Sequence, residues 1–524
     1  MRLAPIFADN MVLQRDKEVL IFGESECSEI ITVRIDDIES TYNAEKGWWT
    51  FALPAHAAGG PYDMVVKAQS SDRLSEEVVI GNVMYGEVFL NNGQSNIEFE
   101  LKDSEGGLEI IEEDNYPDIR YYNVFKTGSV YEAIKNKDLL CWKQATKKSF
   151  GDISAVGYHY ALRLHKELGV AIGMIDCYVG GTSITCWLSK ERLEACLYGK
   201  AYYDEYYAAI EKLPDNAVEI YEKSVEEYEK KTEEIQQRIK GISPAEIVDA
   251  IGKFPWPPPQ SVDSIFRPAA VERSMLKSIY PYTLCSVVYY QGEEDAVNNF
   301  RNLEKTGKND YYYSFLEALV EEYRVMFKDD KLPVILIQLP MYIEDKEDKR
   351  DWAYIREAQD SFSQTNDGVY LTALTDMGEY FNVHPLDKKT PGTRVAGTIL
   401  ERVFDIPAGL EMSFKEITRE EENIVLYFSN TYGEIKIMDN LLLDIRGEVK
   451  DETESDTHVY GFEICSEAGK WYQPKVCIEG DRLIIKEKEK VTGVRYGFFN
   501  YGKVNLYNSK GLPLKQFSYH GDVE

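Results

Sequence analysis

The sequence predicts an α/β protein in which a central α/β domain is flanked by two smaller β domains. Residues 1–82 alternate apolar and polar side chains between turns, which is typical of a small β-sandwich. Between residues 83 and 405, continuously apolar runs alternate with helical stretches, as in a parallel sheet that is covered on both faces. Strand-like alternation returns over residues 406–524 and predicts a C-terminal β domain.

The central domain is predicted from five apolar runs and one well-delimited helix. Residues 155–168 carry an apolar stripe at helical spacing and are followed by Gly169, a common helix stop. Runs such as residues 334–337 are continuously apolar, as strands buried on both faces of a parallel sheet are. The predicted strands cover residues 86–91, 170–176, 284–290, 333–339 and 368–374.

A stretch at about 199–262 is predicted to be a helical insertion into this domain. It is rich in Glu, Lys and Tyr, and it closes in the proline-rich segment 254–259. Two interpretations are open. The insertion is either a lid or rim over a substrate cleft, or a solvated helical hairpin packed on the scaffold, which is the more ordinary of the two.

Composition restricts the possible partners. The chain has 524 residues with 44% hydrophobic, enough for a large core but too long for one domain. Its formal net charge of −31 argues against nucleic acid as a partner, because a phosphate backbone needs a basic face. No export signal is visible and no run approaches a membrane-spanning length. We therefore expect a soluble cytoplasmic protein with no membrane partner.

Cysteines and histidines give no sign of a metal site. The eight cysteines are scattered without a C-x-x-C pair, mostly in apolar segments, and the six histidines form no ligand pattern. We expect mostly buried free thiols and no structural metal.

The tetrapeptide Gly93-Gln94-Ser95-Asn96 is the most informative motif of the chain. It follows an apolar strand and opens a predicted helix, so Ser95 would stand at the sharp turn where a hydrolase nucleophile sits. Alone, the motif is weak, because glycine and serine occur in any loop. Two further motifs also follow predicted strands, where an open α/β sheet binds ligands.

The first of these motifs is Gly180-Gly181-Thr182, whose backbone N–H groups can approach a substrate oxygen without a Cβ in the way. Gly181 is the better candidate donor. The second is Gln291-Gly292-Glu293, in which the Gln291 amide can donate to an oxyanion. Glu293 would orient neighbouring loops or the serine turn.

A general base is also needed, and His384 is the candidate. It is the one histidine of six predicted to lie in a loop after a central strand, before a helix at about 393–404. The other five fall in the 155–168 helix or in the terminal β regions.

Together these blocks resemble the sialate O-acetylesterase-like family of SGNH hydrolases. Each tetrapeptide is common, but the ordered set is specific and covers nearly the whole chain apart from the insertion. The motifs that carry the resemblance are Gly93-Gln94-Ser95-Asn96, Gly180-Gly181-Thr182, Gln291-Gly292-Glu293 and Val383-His384-Pro385, with supporting stretches at 10–14, 356–359, 505–508 and 511–513.

The resemblance implies an SGNH-type three-layer α/β/α domain and removal of acetyl groups from sugar hydroxyls. Ser95 would be the nucleophile and His384 the base. The Ser95 N–H, the Gly181 N–H and Gln291 would form the oxyanion hole, with Gln94, Asn96 and Glu293 in supporting positions. No cofactor is implied, and the expected partner is a small acetylated saccharide, either sialate or a plant-type oligosaccharide. The oligomeric state is not predicted.

One position departs from the family pattern. Relatives usually carry an aspartate two residues before the histidine, where this chain has Asn382. An amide carbonyl can accept the Nδ1–H bond of the imidazole, but it stabilises an imidazolium less than a carboxylate does. Three outcomes are open: a Ser–His pair helped by Asn382 or a main-chain carbonyl, a carboxylate recruited from Asp376, Glu379 or Asp387, or an inactive descendant. The rival functions are accordingly a sugar-binding protein on a hydrolase scaffold and a sugar acetyltransferase.

Overall fold

The structure is a computed structural model, and it describes residues 1–70, 76–136, 140–239, 241–242, 244–297, 310–343, 348–438 and 458–523. Mixed α/β structure with several sheets fills these ranges. In the described part of the chain no helix is both long and apolar enough to cross a membrane. All eight cysteines are free thiols, four of them buried and Cys141 exposed.

Apart from Val12–Gln14, the N-terminal strands pair antiparallel with one another, and the sandwich layout of this region stays a prediction. One three-stranded sheet has the order β1-β3-β6, and β4 lies between β5 and β7 in a second group of strands. The strands are β1 (Arg2–Leu3), β2 (Val12–Gln14), β3 (Val19–Ser25), β4 (Glu29–Ile35), β5 (Ile38–Ala44), β6 (Gly47–Leu53) and β7 (Gly59–Gln69).

Strand β8 (Glu76–Gly93) joins this region to the central sheet. Its first half pairs antiparallel with β7, and its second half pairs parallel with strands of the central sheet. The predicted domain boundary between residues 82 and 83 falls inside this continuous strand. Because β8 carries the serine turn at its end, the N-terminal region braces the strand that presents Ser95.

The central sheet has the order β10-β9-β11-β8-β12-β13-β14 and is parallel apart from the antiparallel edge strand β10. Five of its strands overlap the five predicted runs, whereas β9 and β10 fall outside them. Every residue of β11, β12 and β13 is buried, which explains why these strands are mostly apolar, with Asp176 of β11 and Ser286 of β12 as polar exceptions. The strands are β9 (Tyr116–Asn123), β10 (Trp142–Ala145), β11 (Ala171–Tyr178), β12 (Ser286–Tyr290), β13 (Val334–Ile337) and β14 (Val369–Thr372).

Helices surround this sheet and extend from it. In chain order they are α1 (Ser95–Glu98), α2 (Gly107–Glu113), α3 (Val130–Lys135), α4 (Ala155–Leu168), α5 (Lys190–Ala195), α6 (Gly199–Ile210), α7 (Ala217–Arg238), α8 (Pro244–Ile251), α9 (Ala270–Ser274), α10 (Glu293–Val297), α11 (Asp310–Met326), α12 (Asp351–Thr365) and α13 (Lys389–Val403).

The helices cover both faces of the sheet. Asn91 and Asn92 are consecutive in β8, so their side chains point to opposite faces. Tyr160 of α4 donates to Asn91 at 2.7 Å, and Tyr323 of α11 donates to Asn92 at 2.5 Å. Helix α13 packs on α4, and α12 packs on α11. The two pairs of helices therefore lie on opposite sides of the sheet.

Helix α4 has the limits that its sequence predicts. The side chain of Ser154 accepts a hydrogen bond from the backbone N–H of Gly157 at 3.1 Å, which caps the start. Gly169 ends the helix in the left-handed region, with a φ of +67°. Gly392 of α13 lies so close that an added Cβ would be 2.6 Å from the Cβ of His159.

The insertion is helical, as predicted, and comprises α6, α7 and α8. Helix α7 has no fully buried residue, so over most of its length it is a solvated helix. The 254–259 segment instead returns to the central domain. Residues 240 and 243 lie outside the described chain.

Within its described residues, 406–438 and 458–523, the C-terminal region forms two four-stranded antiparallel sheets and a two-stranded pair around their own core. Arg356 of α12 is fully buried against it and donates to the side chain of Gln516 at 2.7 Å. The strands are β15 (Ser413–Glu420), β16 (Asn423–Ser429), β17 (Ile435–Ile437), β18 (Phe462–Ser466), β19 (Trp471–Tyr472), β20 (Val476–Glu479), β21 (Arg482–Lys486), β22 (Val491–Tyr496), β23 (Leu506–Asn508) and β24 (Phe517–His520).

Candidate active site

Ser95 stands at a strand–turn–helix junction, as the motif predicts. β8 ends at Gly93, and α1 begins at Ser95, which is partly exposed. Gly93 has a φ of +135°, and a Cβ there would lie 2.1 Å from the carbonyl oxygen of Tyr290 in β12. Only glycine fits this conformation and this approach. The N–H of Gln94 then donates to the same carbonyl at 3.1 Å, which fixes the turn.

The Gly180–Gly181 turn lies directly beside the serine. A Cβ on Gly180 would be 3.3 Å from the Cβ of Ser95. The Gly180 N–H donates to the carboxylate of Glu98, so this group is already bound within the protein. Gly181 has a φ of +72°, and its N–H is the candidate donor for an oxyanion.

Gln291 lies in the same cluster, but its amide group already has protein partners. Its Nε2 is 3.1 Å from the Gln94 side-chain oxygen, 3.1 Å from the Thr182 carbonyl and 2.5 Å from Asp295. Gln291 is fully buried. The structure thus brings it to the serine turn, whereas its predicted role as an oxyanion donor stays a prediction and would require it to exchange one of these bonds.

Gln94 links the serine turn to the start of α10. Its side-chain oxygen accepts hydrogen bonds from Gln291 and from the backbone N–H groups of Gly292 at 3.4 Å and Glu294 at 3.2 Å. One glutamine oxygen therefore satisfies donors at the beginning of a helix that would otherwise be unpaired.

Asn96 joins the serine turn to the histidine loop. Its Nδ2 donates to the side chain of Glu293 at 2.6 Å and to the carbonyl of Val383 at 2.9 Å. Its Oδ1 accepts a hydrogen bond from the ammonium of Lys388 at 2.5 Å. A single buried side chain thus binds the start of α10 and two residues of the histidine loop, and Val383 directly precedes His384.

Burial gives this cluster unusual proton affinities. It raises the pKa of Glu293 to about 7, with the hydrogen bond from Asn96 opposing the shift. It lowers the pKa of Lys388 to about 7, with nearby Glu293 opposing the shift. The second carboxylate oxygen of Glu293 is buried and has no hydrogen-bond partner among the described residues.

His384 lies against the same cluster and is partly buried. Its ring centroid is 6.2 Å from that of Phe99, which follows α1. Burial, and then the neighbouring Lys388 charge, lower the pKa of His384 to about 4, so the imidazole is neutral at pH 7. Within the described chain no hydrogen bond joins the His384 ring to Ser95. The two residues are brought near each other through Asn96 and Phe99.

Asn382 shapes the backbone of the loop. Its Oδ1 accepts the backbone N–H of His384 at 3.1 Å, and its Nδ2 donates to Glu379 at 2.7 Å. The other oxygen of Glu379 accepts the N–H of Leu386 at 2.8 Å. The amide of Asn382, where the resemblance predicts an aspartate, is therefore bonded to main chain and to Glu379.

The other two candidate carboxylates are also engaged. Asp376 forms a two-fold ion pair with Arg394, at 2.6 and 2.7 Å. Asp387 accepts the N–H of Thr390 at 2.9 Å, next to the start of α13. In this arrangement each of the three acidic candidates has a partner other than the imidazole.

The proline-rich end of the insertion borders the site. The ring of Trp256 lies over Gly181, so close that a Cβ there would be 2.3 Å from it. Its Nε1 donates to Glu294 at 2.8 Å, and its ring meets Phe266 edge-on at 5.3 Å. The rim interpretation thus fits residues 254–259, and the solvated-hairpin interpretation fits α7.

Sequence reasoning missed Lys388 and Trp256. Lys388 lies four residues after His384, but a lysine in a charged stretch is usually exposed, and its burial depends on Asn96 from a distant loop. Trp256 lies among prolines that predict a rigid segment but not where that segment packs.

No family model matches the chain. The fold is that of a solved carbohydrate acetylesterase from Xanthomonas citri, with a TM-score of 0.72, 23% identity and 99% of each chain covered. The sequence is also 22% identical over 433 residues to the sialate O-acetylesterase of Pongo abelii, covering 75% of this chain and 69% of that protein. The Mus musculus sialate O-acetylesterase is 22% identical over 426 residues, with 75% and 72% covered. The chain is thus similar to sialate O-acetylesterases and to a carbohydrate acetylesterase, the family that its motifs resemble.

Proposed function

We propose that the protein is a serine-type carbohydrate O-acetylesterase with an SGNH-type three-layer domain at about residues 83–405. The observation that carries the proposal is the convergence of three loops on Ser95. Gly180 lies beside it, and Asn96 binds both Glu293 and the residue before His384. Its substrate is a small acetylated saccharide, and the mechanism needs no cofactor.

In the first half-reaction the Ser95 hydroxyl oxygen attacks the acetyl carbonyl carbon. His384 takes the hydroxyl proton, and the oxyanion accepts hydrogen bonds from the N–H groups of Ser95 and Gly181 and from Gln291. The tetrahedral intermediate collapses, the C–O bond to the sugar breaks, and His384 returns the proton to the sugar oxygen. This leaves an acetyl ester on Ser95.

In the second half-reaction water attacks the acetyl carbon while His384 takes its proton. Collapse releases acetate, and the proton returns to the Ser95 oxygen. The lowered pKa of His384 supports this role in one respect, because it keeps the imidazole in the neutral, basic form at neutral pH. The nearby Lys388 charge makes the imidazolium less stable, which favours passing the proton on to the leaving group.

The test is acetate release from acetylated oligosaccharides and from 4-nitrophenyl acetate. Ser95→Ala and His384→Ala are each expected to lower turnover by at least about 100-fold, because a nucleophile and its base act as a unit. Near-normal turnover in either variant removes that residue from the mechanism.

A second candidate function is sugar binding without turnover. It is favoured by Asn382, whose amide bonds the backbone and Glu379 instead of the imidazole. Sugar binding by the wild-type protein with no acetate release would support it.

A further inference from the structure

A small cavity lies between the glycine turn and the helical insertion. It has a volume of about 140 Å³ and is bounded by Gly181 and Ser183 on one side and by α6 and residues 256–260 on the other. Gly180, the neighbour of Gly181, lies beside Ser95, since a Cβ added to it would be 3.3 Å from the Cβ of the serine. The cavity therefore lies on the glycine turn that borders the serine.

Aromatic side chains form much of the cavity wall. Tyr202 and Tyr206 come from α6, Trp256 comes from the end of the insertion, and Phe266 follows it. Trp256 is held in place by its hydrogen bond to Glu294 and its edge contact with Phe266, yet 38% of it is exposed. A fixed, partly exposed aromatic ring offers a flat apolar face to the C–H side of a sugar ring.

The charged residues that line the cavity are both acidic. Glu205 and Glu294 contribute carboxylates, and the lining contains no Lys, Arg or His among the described residues. Arg267 lies nearby, but its two terminal nitrogens donate to the carbonyls of Ser264 at 2.6 Å and Gly128 at 2.8 Å. Carboxylates accept hydrogen bonds from sugar hydroxyls but repel a carboxylate ligand, for which an arginine is the usual partner.

From this geometry we infer that the cavity is a subsite for a neutral sugar residue, which makes acetylated neutral oligosaccharides the preferred substrates over O-acetylated sialic acid. The inference rests on the proposed esterase function and specifies its substrate class. It differs from the substrate in the names of the mammalian relatives, and the residues that carry it belong mostly to the insertion.

The first experiment fills the cavity. Ala209 lines it from α6, whereas Ala208 is on the same helix and does not line it. Ala209→Trp and Ala208→Trp therefore form a matched pair. We compare kcat/KM for an acetylated neutral oligosaccharide with kcat/KM for 4-nitrophenyl acetate, which has no sugar. The ratio of kcat/KM for the oligosaccharide to kcat/KM for 4-nitrophenyl acetate should fall about tenfold or more in Ala209→Trp. In Ala208→Trp the same ratio should stay within about twofold of wild type.

The second experiment tests charge with a variant that adds no bulk. Wild-type protein should hydrolyse the neutral oligosaccharide with a higher kcat/KM than O-acetylated sialic acid, and Glu205→Gln should narrow that preference at least about twofold at low salt. Equal or better turnover of the sialate by the wild-type protein overturns the inference, as does an unchanged ratio in Ala209→Trp.

The two proposals fail in different ways. If 4-nitrophenyl acetate is hydrolysed equally well by wild-type protein and Ser95→Ala, the esterase mechanism is wrong. If hydrolysis depends on Ser95 while the cavity variants leave the substrate ratios unchanged, only the subsite is wrong.

Discussion

The hydrogen bond between Asn382 and Glu379 makes the loop before His384 sensitive to one added charge. Asn382→Asp would restore the family residue, but it would place a carboxylate where an amide now donates to Glu379 at 2.7 Å. The variant loses a hydrogen bond to a charged group, worth about 1.5–3 kcal/mol. It gains a like-charge contact, which for two unit charges about 4 Å apart is on the order of 4 kcal/mol near a protein surface. Both side chains are partly exposed, so solvent screening reduces the sum, and we expect a loss of about 3 kcal/mol at pH 8.

The loss should depend on pH in a defined direction. Lowering the pH lets one carboxyl of the pair take up a proton and donate a hydrogen bond again. Since the folded variant holds this proton more tightly than its unfolded chain does, the variant becomes less stable as the pH rises. Thermal unfolding at pH 8 should therefore show a melting temperature about 3–6 °C below that of wild type, and the difference should shrink near pH 5.

The control is the double variant Asn382→Asp with Glu379→Gln. It keeps one carboxylate and one amide but exchanges their positions, so it should regain most of the lost stability. The reasoning is refuted if the single variant is as stable as wild type at pH 8, or if the second substitution restores nothing.

Three further predictions follow from the site. The pKa of His384 is lowered to about 4, and its neutral ring is the base. The kcat/KM for acetate release should therefore fall at acid pH with a midpoint near pH 4, and a midpoint near 6.5 would contradict this. Lys388→Met should lower the free energy of unfolding by about 3 kcal/mol, because it leaves buried polar partners unpaired. It should also move the acid limb to higher pH, because it removes a positive charge that lowers the pKa of His384. Lys389→Met, at an exposed position, is the control, and equal effects of the two variants would contradict the role of Lys388 beside His384. Gly93→Ala should abolish soluble folded protein or acetate release, because its Cβ would lie 2.1 Å from a backbone oxygen. The control is Gly106→Ala, at a position with a φ of +68° and no atom near the added Cβ, which should lower the free energy of unfolding by only about 1–2 kcal/mol.

The fold could be predicted where local sequence and tertiary structure agree. Residues 155–168 have a cap, an apolar stripe and a glycine stop, and α4 has those limits. Strand β9 contains Arg120, which is fully buried and bonded to backbone carbonyls of the N-terminal region. A charged residue in the middle of a strand breaks the apolar pattern, so β9 could not be recognised from periodicity.

The same contrast holds for the site. Gly93 and Gly181 could be predicted because each has a positive φ at a strand end, which is a local requirement. The contacts of Asn382 could not, because family resemblance gives the position of a residue but not its partner. Glu379 supplies a carboxylate three residues away, and an amide next to it is stabilised while an aspartate is not. This loop therefore carries its negative charge on Glu379 instead of position 382. The Glu379 carboxylate stabilises the loop by accepting a hydrogen bond from the backbone N–H of Leu386. The imidazole of His384 then depends on Asn96, Lys388 and Phe99 for its surroundings. The stability of the double variant Asn382→Asp with Glu379→Gln decides whether residues 379 and 382 act as one unit.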